Sequence, residues 1–147
     1  MPDPAGTSVQ LSNLNGAWRL ISFELERQDT GQRRPALDGG HKGRLVILAG
    51  SLIIVVITPN ERQVPKTVEE RAAAYESMTA YTGRFTVQGD QLTTTVDISW
   101  NESWLQIPQV RTIEFKGERL ELRTDWQTRP AQPEVVGRGV LLWEREE

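Results

Sequence analysis

The chain has 147 residues, which is the size of one domain, and its 37% hydrophobic and 25% charged residues are typical of a globular protein. The net charge is −3 and no basic run is longer than Arg33–Arg34, so we expect no nucleic-acid partner. The chain has no cysteine and a single histidine, His41, which excludes disulfides, cysteine chemistry and a two-histidine site; we therefore expect no metal and no cofactor.

Residues 1–10 are predicted to be a disordered lead, followed by one domain over residues 11–147. Residues 1–8 lack both the basic start and the apolar segment of a secretory signal. The longest apolar run, Leu52–Ile57, is much shorter than the roughly 20 residues that cross a bilayer. We therefore expect a cytoplasmic protein that does not contact a membrane.

Alternating apolar and polar residues predict strands in the first half of the chain. These strands are expected over residues 16–27, 44–49 and 51–58. The last two would form a hairpin that turns at Gly50–Ser51. Residues 28–43 are rich in Gly, Asp and Pro and predict a long loop.

A helix is predicted over residues 68–80. Thr67 and Glu70 match a capping box, in which each side chain binds the backbone N–H of the other residue. Apolar and small residues recur at helical spacing from Val68 to Thr79, which would place them on one face. Tyr75 and Met78 would either cover the barrel as a lid or attach the helix to the sheet.

The second half of the chain returns to alternating strands. Five are expected, over residues 81–88, 92–100, 109–115, 120–124 and 137–145. Residues 125–136 contain two prolines and predict a second long loop. Eight sequential strands with one helix predict an all-β fold, an eight-stranded antiparallel up-and-down β-barrel. A β-sandwich is the rival architecture, which the lack of long crossover connections disfavours.

Four segments of the chain resemble a known family. They are residues 14–20 (LNGAWRL), 81–87 (YTGRFTV), 109–112 (QVRT) and 142–145 (LWER). Together they resemble the bacterial lipocalin-like domain family, which has calycin-type β-barrels, over residues 11–147. The resemblance implies a closed barrel in which Trp18 and Arg145 are in contact near one end. The chain lacks the histidine that the family has on the strand of Thr93–Thr95 and the glycine near Gln106, so an activity that needs that histidine is not implied.

Side-chain alternation identifies candidate ligand-binding residues. Phe85 and Phe115 are the large apolar residues most expected inside the barrel. Residues an even number apart in a strand share a face, so Tyr81 would point inward with Phe85. Gln109 and Arg111 would point inward with Phe115. An inward guanidinium needs an opposite charge, because an unpaired buried ion is costly.

The expected partner of Arg111 is Asp97, Glu114 or an anionic group of a ligand, which a guanidinium can bind with two parallel hydrogen bonds. Trp100 and Trp104 flank a polar loop; they are expected to contact a flat ligand at the barrel mouth or to pack into the core. His41 is expected to be exposed and inert in a glycine-rich loop. The candidate ligand-binding residues are Tyr81, Phe85, Asp97, Trp100, Trp104, Gln109, Arg111 and Phe115.

An eight-stranded barrel is just wide enough to hold one small ligand. We therefore expect the protein to bind a small hydrophobic or aromatic metabolite, as a monomer or a homodimer. The alternative is a small barrel enzyme, a cyclase, isomerase or dehydratase that acts on a natural-product-type intermediate; Tyr81, Asp97 and Arg111 are the groups available for such chemistry. A third interpretation is a dimerising structural domain whose barrel is filled.

Overall fold

The computed structural model describes residues 10–129 and 132–146, and these residues form ten β-strands and two α-helices. The predicted lead lies outside the described residues, apart from Gln10. The strands are β1 (Gly16–Arg27), β2 (Arg33–Pro35), β3 (His41–Leu48), β4 (Leu52–Pro59), β5 (Thr79–Gln88), β6 (Gln91–Ser99), β7 (Pro108–Lys116), β8 (Arg119–Arg123), β9 (Gln127–Arg129) and β10 (Gln132–Arg145). The helices are α1 (Leu11–Leu14) and α2 (Val68–Glu76), and a 3-10 turn covers Glu102–Trp104. No helix in the described ranges is long and apolar enough to cross a bilayer.

Eight of the strands close into an antiparallel barrel, which confirms the predicted fold. The strands β3 to β8 pair in sequence order, and β1 pairs with both β3 and β10 to close the barrel. The short strands β2 and β9 pair with β1 and β10. They lie in the two segments predicted to be loops. The prediction is wrong there because backbone pairing with a neighbouring strand outweighs the local turn residues.

Glycines lie in the tight turns between paired strands, as the sequence predicts. Gln88 pairs with Gln91, so Gly89–Asp90 is a two-residue turn as predicted. Gly89 has a φ of 62°, which glycine adopts without steric cost. The turn between β3 and β4 has three residues rather than two, because Leu48 pairs with Leu52.

A β-bulge at Asp97 changes the orientation of the end of β6. Val96 and Ile98 pair with successive residues of β5, so Asp97 is the extra residue. A Cβ atom on Gly83 would lie 2.0 Å from the Thr95 carbonyl oxygen, and only glycine permits this close approach. Beyond the bulge Ile98 is 68% exposed, although alternation from Val96 predicts that it points inward.

The helix α2 is shorter and less buried than predicted. It ends at Glu76, because Thr79 and Ala80 pair with β4 as the first residues of β5. The predicted capping box is confirmed: Thr67 Oγ1 accepts a hydrogen bond from the Glu70 N–H, and the Glu70 carboxylate accepts one from the Thr67 N–H, both at 3.0 Å. No residue of α2 is buried, so its predicted apolar face does not pack into the core.

One end of the barrel is closed by the first and last segments of the domain. Trp18 is fully buried and donates its indole N–H to the Leu14 carbonyl oxygen of α1, at 2.9 Å. The Arg145 guanidinium lies 4.2 Å from the centroid of the Trp18 ring. It also donates to the carbonyl oxygens of Asn13 and Asn15. The predicted contact between Trp18 and Arg145 is therefore confirmed, and it ties α1 to the last strand.

Part of the outer barrel surface is covered by a network of ion pairs that the sequence did not predict. Glu26 accepts hydrogen bonds from Arg33 of β2 at 2.8 Å and from Arg138 of β10 at 2.6 Å. Burial alone would raise the pKa of Glu26, but the two arginines outweigh this effect and hold the pKa below its ordinary value. Glu121 is also buried and binds Arg123 at 2.6 Å. These pairs hold β2 and the start of β10 against β1.

Candidate functional site

The barrel contains a cavity of about 540 Å³ at the end opposite the Trp18–Arg145 contact. Its apolar wall consists of Phe23, Ile53, Val55, Ile57, Leu92, Leu122 and Leu141, and its larger aromatic residues are Tyr81, Trp104 and Trp143. The polar side chains along the wall are those of Thr79, Gln109, Arg111, Thr124, Asp125 and Gln127. This volume lies in the usual range of small-molecule sites, about 300–1,000 Å³. The barrel is therefore hollow at this end.

Three polar side chains that alternation predicts to point inward meet on one part of the wall. The strand β5 carries Tyr81, and β7 carries Gln109 and Arg111. Arg111 Nη1 donates to the Val110 carbonyl oxygen at 2.9 Å, and Nη2 donates to Gln109 Oε1 at 3.4 Å. Arg111 is half-buried and forms no ion pair with any carboxylate of the described residues.

Tyr81 supplies a protonated hydroxyl beside this cation. The residue is 8% exposed, and its burial raises the pKa of the hydroxyl above the ordinary value. The positive charge of the nearby Arg111 opposes part of that rise. The hydroxyl therefore stays protonated at neutral pH and is able to donate a hydrogen bond into the cavity.

A row of four aromatic residues joins the cavity to α2. Tyr81 contacts Trp104 with ring centroids 5.4 Å apart, and Trp104 contacts Trp100 at 5.0 Å. Trp100 in turn lies 6.4 Å from Tyr75 of α2 and donates its indole N–H to the Tyr75 carbonyl oxygen at 3.0 Å. Only Trp104 and Tyr81 line the cavity, while Trp100, Tyr75 and the half-buried Met78 do not. Trp100 thus attaches the helix at the mouth of the barrel.

Trp143 carries a buried donor that has no partner among the residues that the structure describes. Its side chain is 1% exposed and lines the cavity, and its indole Nε1 makes no hydrogen bond. The other fully buried tryptophan, Trp18, has its partner in the Leu14 carbonyl. A buried N–H without an acceptor costs about 1–3 kcal/mol. Trp143 therefore contributes its ring to the cavity wall, and its N–H is a buried donor that adds a cost to the fold.

The remaining predicted site residues lie elsewhere. Phe85 is buried in the core and Phe115 packs against it, but neither lines this cavity; Phe115 instead borders a groove beside Trp18. Asp97 is exposed at the β-bulge. Glu114 binds Arg123 at 2.7 Å on the outer surface. Asp97 and Glu114 are therefore not partners of Arg111, because the first is extruded from β6 and the second points away from the barrel interior.

His41 differs from the sequence-based expectation. It is the first residue of β3 rather than part of a loop, and it is half-buried. Its ring lies 5.0 Å from that of Phe23, which lines the cavity. Burial lowers the pKa of His41, so the imidazole is neutral at physiological pH. It contacts Phe23 and is not among the residues that line the cavity.

Sequence reasoning missed two aromatic residues of the wall. Trp143 shares a face with Leu141 by simple alternation in β10, so this signal was available in the chain. Phe23 follows an irregularity in β1 between Leu20 and Ser22, where the pairing with β10 shifts. Alternation across such a shift gives the wrong face, and the sequence contains no mark of it.

The cavity has a largely apolar wall, a cation and a phenol next to each other on one part of it, and neutral polar side chains and Asp125 elsewhere along it. Within the described ranges, no three side chains of the metal-binding types come together. A molecule that fits this wall would be largely apolar and would carry oxygen atoms able to accept hydrogen bonds.

Comparison with known proteins agrees with this architecture. A family model described as a lipocalin-like domain matches residues 15–146, which include the whole barrel from β1 to β10. No curated protein matches the chain significantly.

Proposed function

Because the chain belongs to the lipocalin-like domain family and its barrel is hollow at one end, we propose that the protein binds a small hydrophobic or aromatic molecule inside the barrel. The observation that carries this proposal is the cavity of about 540 Å³. A ligand that covers the apolar wall removes it from contact with water, which favours apolar ligands. The flat rings of Trp104 and Tyr81 offer contact area to a planar molecule.

The expected affinity follows from the buried area. A ligand that buries about 300 Å² of apolar surface gains about 7 kcal/mol at roughly 25 cal/mol per Å². Part of this gain is offset by the lost freedom of the ligand. Dissociation constants of tens to hundreds of micromolar, about 10–500 μM, are therefore expected for generic apolar probes, with tighter binding for the physiological ligand.

Binding of N-phenyl-1-naphthylamine tests the proposal. This neutral probe becomes fluorescent when it leaves water for an apolar site, so a titration reports cavity occupancy. We expect saturable binding by the wild-type protein. The variant Thr79→Trp places a large side chain in the cavity wall and should weaken binding by about tenfold or more, which corresponds to about 1.4 kcal/mol.

The matched control is Thr86→Trp, which adds the same side chain to the same strand on the opposite, exposed face. It should bind the probe like wild type. Equal binding by the wild type and both variants would show that the probe binds outside the barrel, and absence of binding would contradict the proposal.

A second candidate function, a small barrel enzyme acting on a natural-product-type intermediate, is favoured by one observation. The Tyr81 hydroxyl is buried, protonated and next to the cationic Arg111. A phenol beside a guanidinium can donate a proton or a hydrogen bond to a developing oxyanion, as a cyclase, isomerase or dehydratase requires.

Mass spectrometry of co-purified molecules separates the two functions. If the protein is a carrier, wild type and Tyr81→Phe should release the same compound. If it is an enzyme that uses Tyr81 as an acid, Tyr81→Phe should retain the unreacted substrate. That substrate would be heavier than the wild-type product by one water for a dehydratase. For an isomerase or cyclase it would have the same mass and a different retention time.

A further inference from the structure

Arg111 has hydrogen-bonding capacity that the described residues leave unused. A guanidinium has five N–H donors. The Tyr81 hydroxyl interacts with the guanidinium, and the Val110 carbonyl and the Gln109 amide accept from two of its N–H groups. Both of these acceptors are neutral. Within the part of the chain that the structure describes, no carboxylate lies within ion-pair distance of Arg111.

Two other arginines with mostly covered side chains do form ion pairs with carboxylates. Arg123, whose side chain is 16% exposed, binds Glu121 and Glu114, and Arg138, at 23%, binds Glu26. Both lie on the outer surface. Arg111 faces the cavity and has no carboxylate partner among the described residues. The opposite charge that the protein supplies to Arg123 and Arg138 is thus missing at Arg111, which lies where a ligand has room to supply it.

A second donor of the wall lies next to this cation. The protonated Tyr81 hydroxyl is buried beside Arg111. Asp125 is the one acidic side chain among those that line the cavity, and it is exposed at the rim. The enclosed part of the cavity therefore presents donors and a positive charge to its contents.

We propose that the ligand is an organic acid with a planar apolar body, whose carboxylate, or an enolate with the same pair of oxygens, binds Arg111. This inference rests on the proposed function and names the ligand class. The two acidic oxygens match the planar fork of the guanidinium, and Tyr81 donates to one of them. Gln109 holds the guanidinium in place through its Oε1 atom.

Displacement of bound N-phenyl-1-naphthylamine by two matched competitors tests this inference. 2-Naphthoate and 2-naphthamide have nearly the same shape and differ in charge. For wild type, naphthoate should displace the probe at a concentration about tenfold or more below that of naphthamide, as expected for one charge-assisted contact. In Arg111→Leu this preference for naphthoate over naphthamide should disappear, while the neutral probe should still bind, so that the two competitors can be compared in the same assay.

The control is Arg84→Leu, which removes the same charge from an exposed position on the outer face of β5. It should keep the preference for naphthoate. Direct calorimetric titration of both competitors covers the case in which the neutral probe does not bind.

Each outcome has a distinct meaning. Probe binding without a preference for naphthoate, or a preference that survives Arg111→Leu, would overturn the inference and leave the proposed function intact. Loss of the preference in both arginine variants would show a general charge effect and would also overturn it. Failure of the probe and both competitors to bind wild type would overturn both proposals.

Discussion

Replacing Glu26 with Gln tests whether the outer ion pairs hold the barrel together. Glu26 is 9% exposed and lies where β1, β2 and β10 meet. Its two oxygens accept hydrogen bonds from Arg33 at 2.8 Å and Arg138 at 2.6 Å. The amide of Gln is nearly the same size but is neutral, and it can accept at one atom only. The substitution therefore removes the charge and one of the two bonds without leaving a cavity.

The expected loss of unfolding free energy is about 2 kcal/mol. Removing one partner of a fully buried pair costs about 3–5 kcal/mol, because the remaining charge is stranded. Here the side chains of Arg33 and Arg138 are 35% and 23% exposed, so water partly solvates the charges that lose their partner. Arg33 also keeps Glu121 at 3.6 Å, and Arg138 keeps its contact with the Trp126 ring, 4.1 Å away. These remaining contacts reduce the expected loss of unfolding free energy to about 2 kcal/mol, which is less than half of the roughly 5 kcal/mol reached by fully buried pairs.

Urea denaturation followed by tryptophan fluorescence measures this loss. The control is Glu24→Gln, two residues earlier in β1 on the same face, where no ion pair forms within the described residues. It should change stability by less than about 0.5 kcal/mol. A loss of less than about 0.5 kcal/mol for Glu26→Gln, or equal losses for both variants, would refute a specific stabilising role of the network.

Three further outcomes are expected. Arg123 and Lys116 lower the pKa of Glu114 from 4.5 to about 2. The contribution of Glu114 to stability is therefore present above pH 4.5 and is lost as the pH falls toward 2. Glu114→Gln should remove this part of the pH dependence when the unfolding free energy is measured by urea denaturation at a series of acidic pH values. Arg145→Lys should lower stability by about 1 kcal/mol in thermal unfolding, because an ammonium keeps the charge but not the fork that reaches two carbonyl oxygens. Thr67→Ala should speed amide exchange in α2 by about fivefold with no change in the global unfolding midpoint, since α2 buries no residue.

The strands could be predicted because their signals are local. Alternation fixes the faces of β5 and β7, and Gly89 fixes a turn by its positive φ. The short strands β2 and β9 could not be predicted, because they exist only through pairing with strands that are distant in sequence. The end of α2 has the same origin: Thr79 continues the helical spacing of the sequence, but pairing with β4 places it in a strand.

The candidate site could be predicted only where alternation is uninterrupted. Tyr81 and Arg111 lie on regular strands, and both line the cavity. Asp97 lies on a bulge that depends on the missing Cβ of Gly83, so its surroundings follow from a contact between two strands. The sequence also could not show that the Trp143 N–H lacks an acceptor among the described residues, because this depends on which groups the neighbouring strands place around the indole.

The last prediction concerns the stability of Arg111→Leu, and it distinguishes a structural arginine from one kept for a ligand. A half-buried cation without a carboxylate adds a desolvation cost to the folded state, whereas Leu would extend the apolar wall next to Leu92. Arg111→Leu should therefore leave the unfolding free energy unchanged or raise it by about 1 kcal/mol, as substitutions in functional sites often do. This is opposite in sign to the effect expected for Glu26→Gln. A loss of more than about 2 kcal/mol would mean that the two neutral acceptors, Gln109 and the Val110 carbonyl, suffice to make Arg111 part of the fold. In that case the unbalanced charge would no longer indicate an acidic ligand.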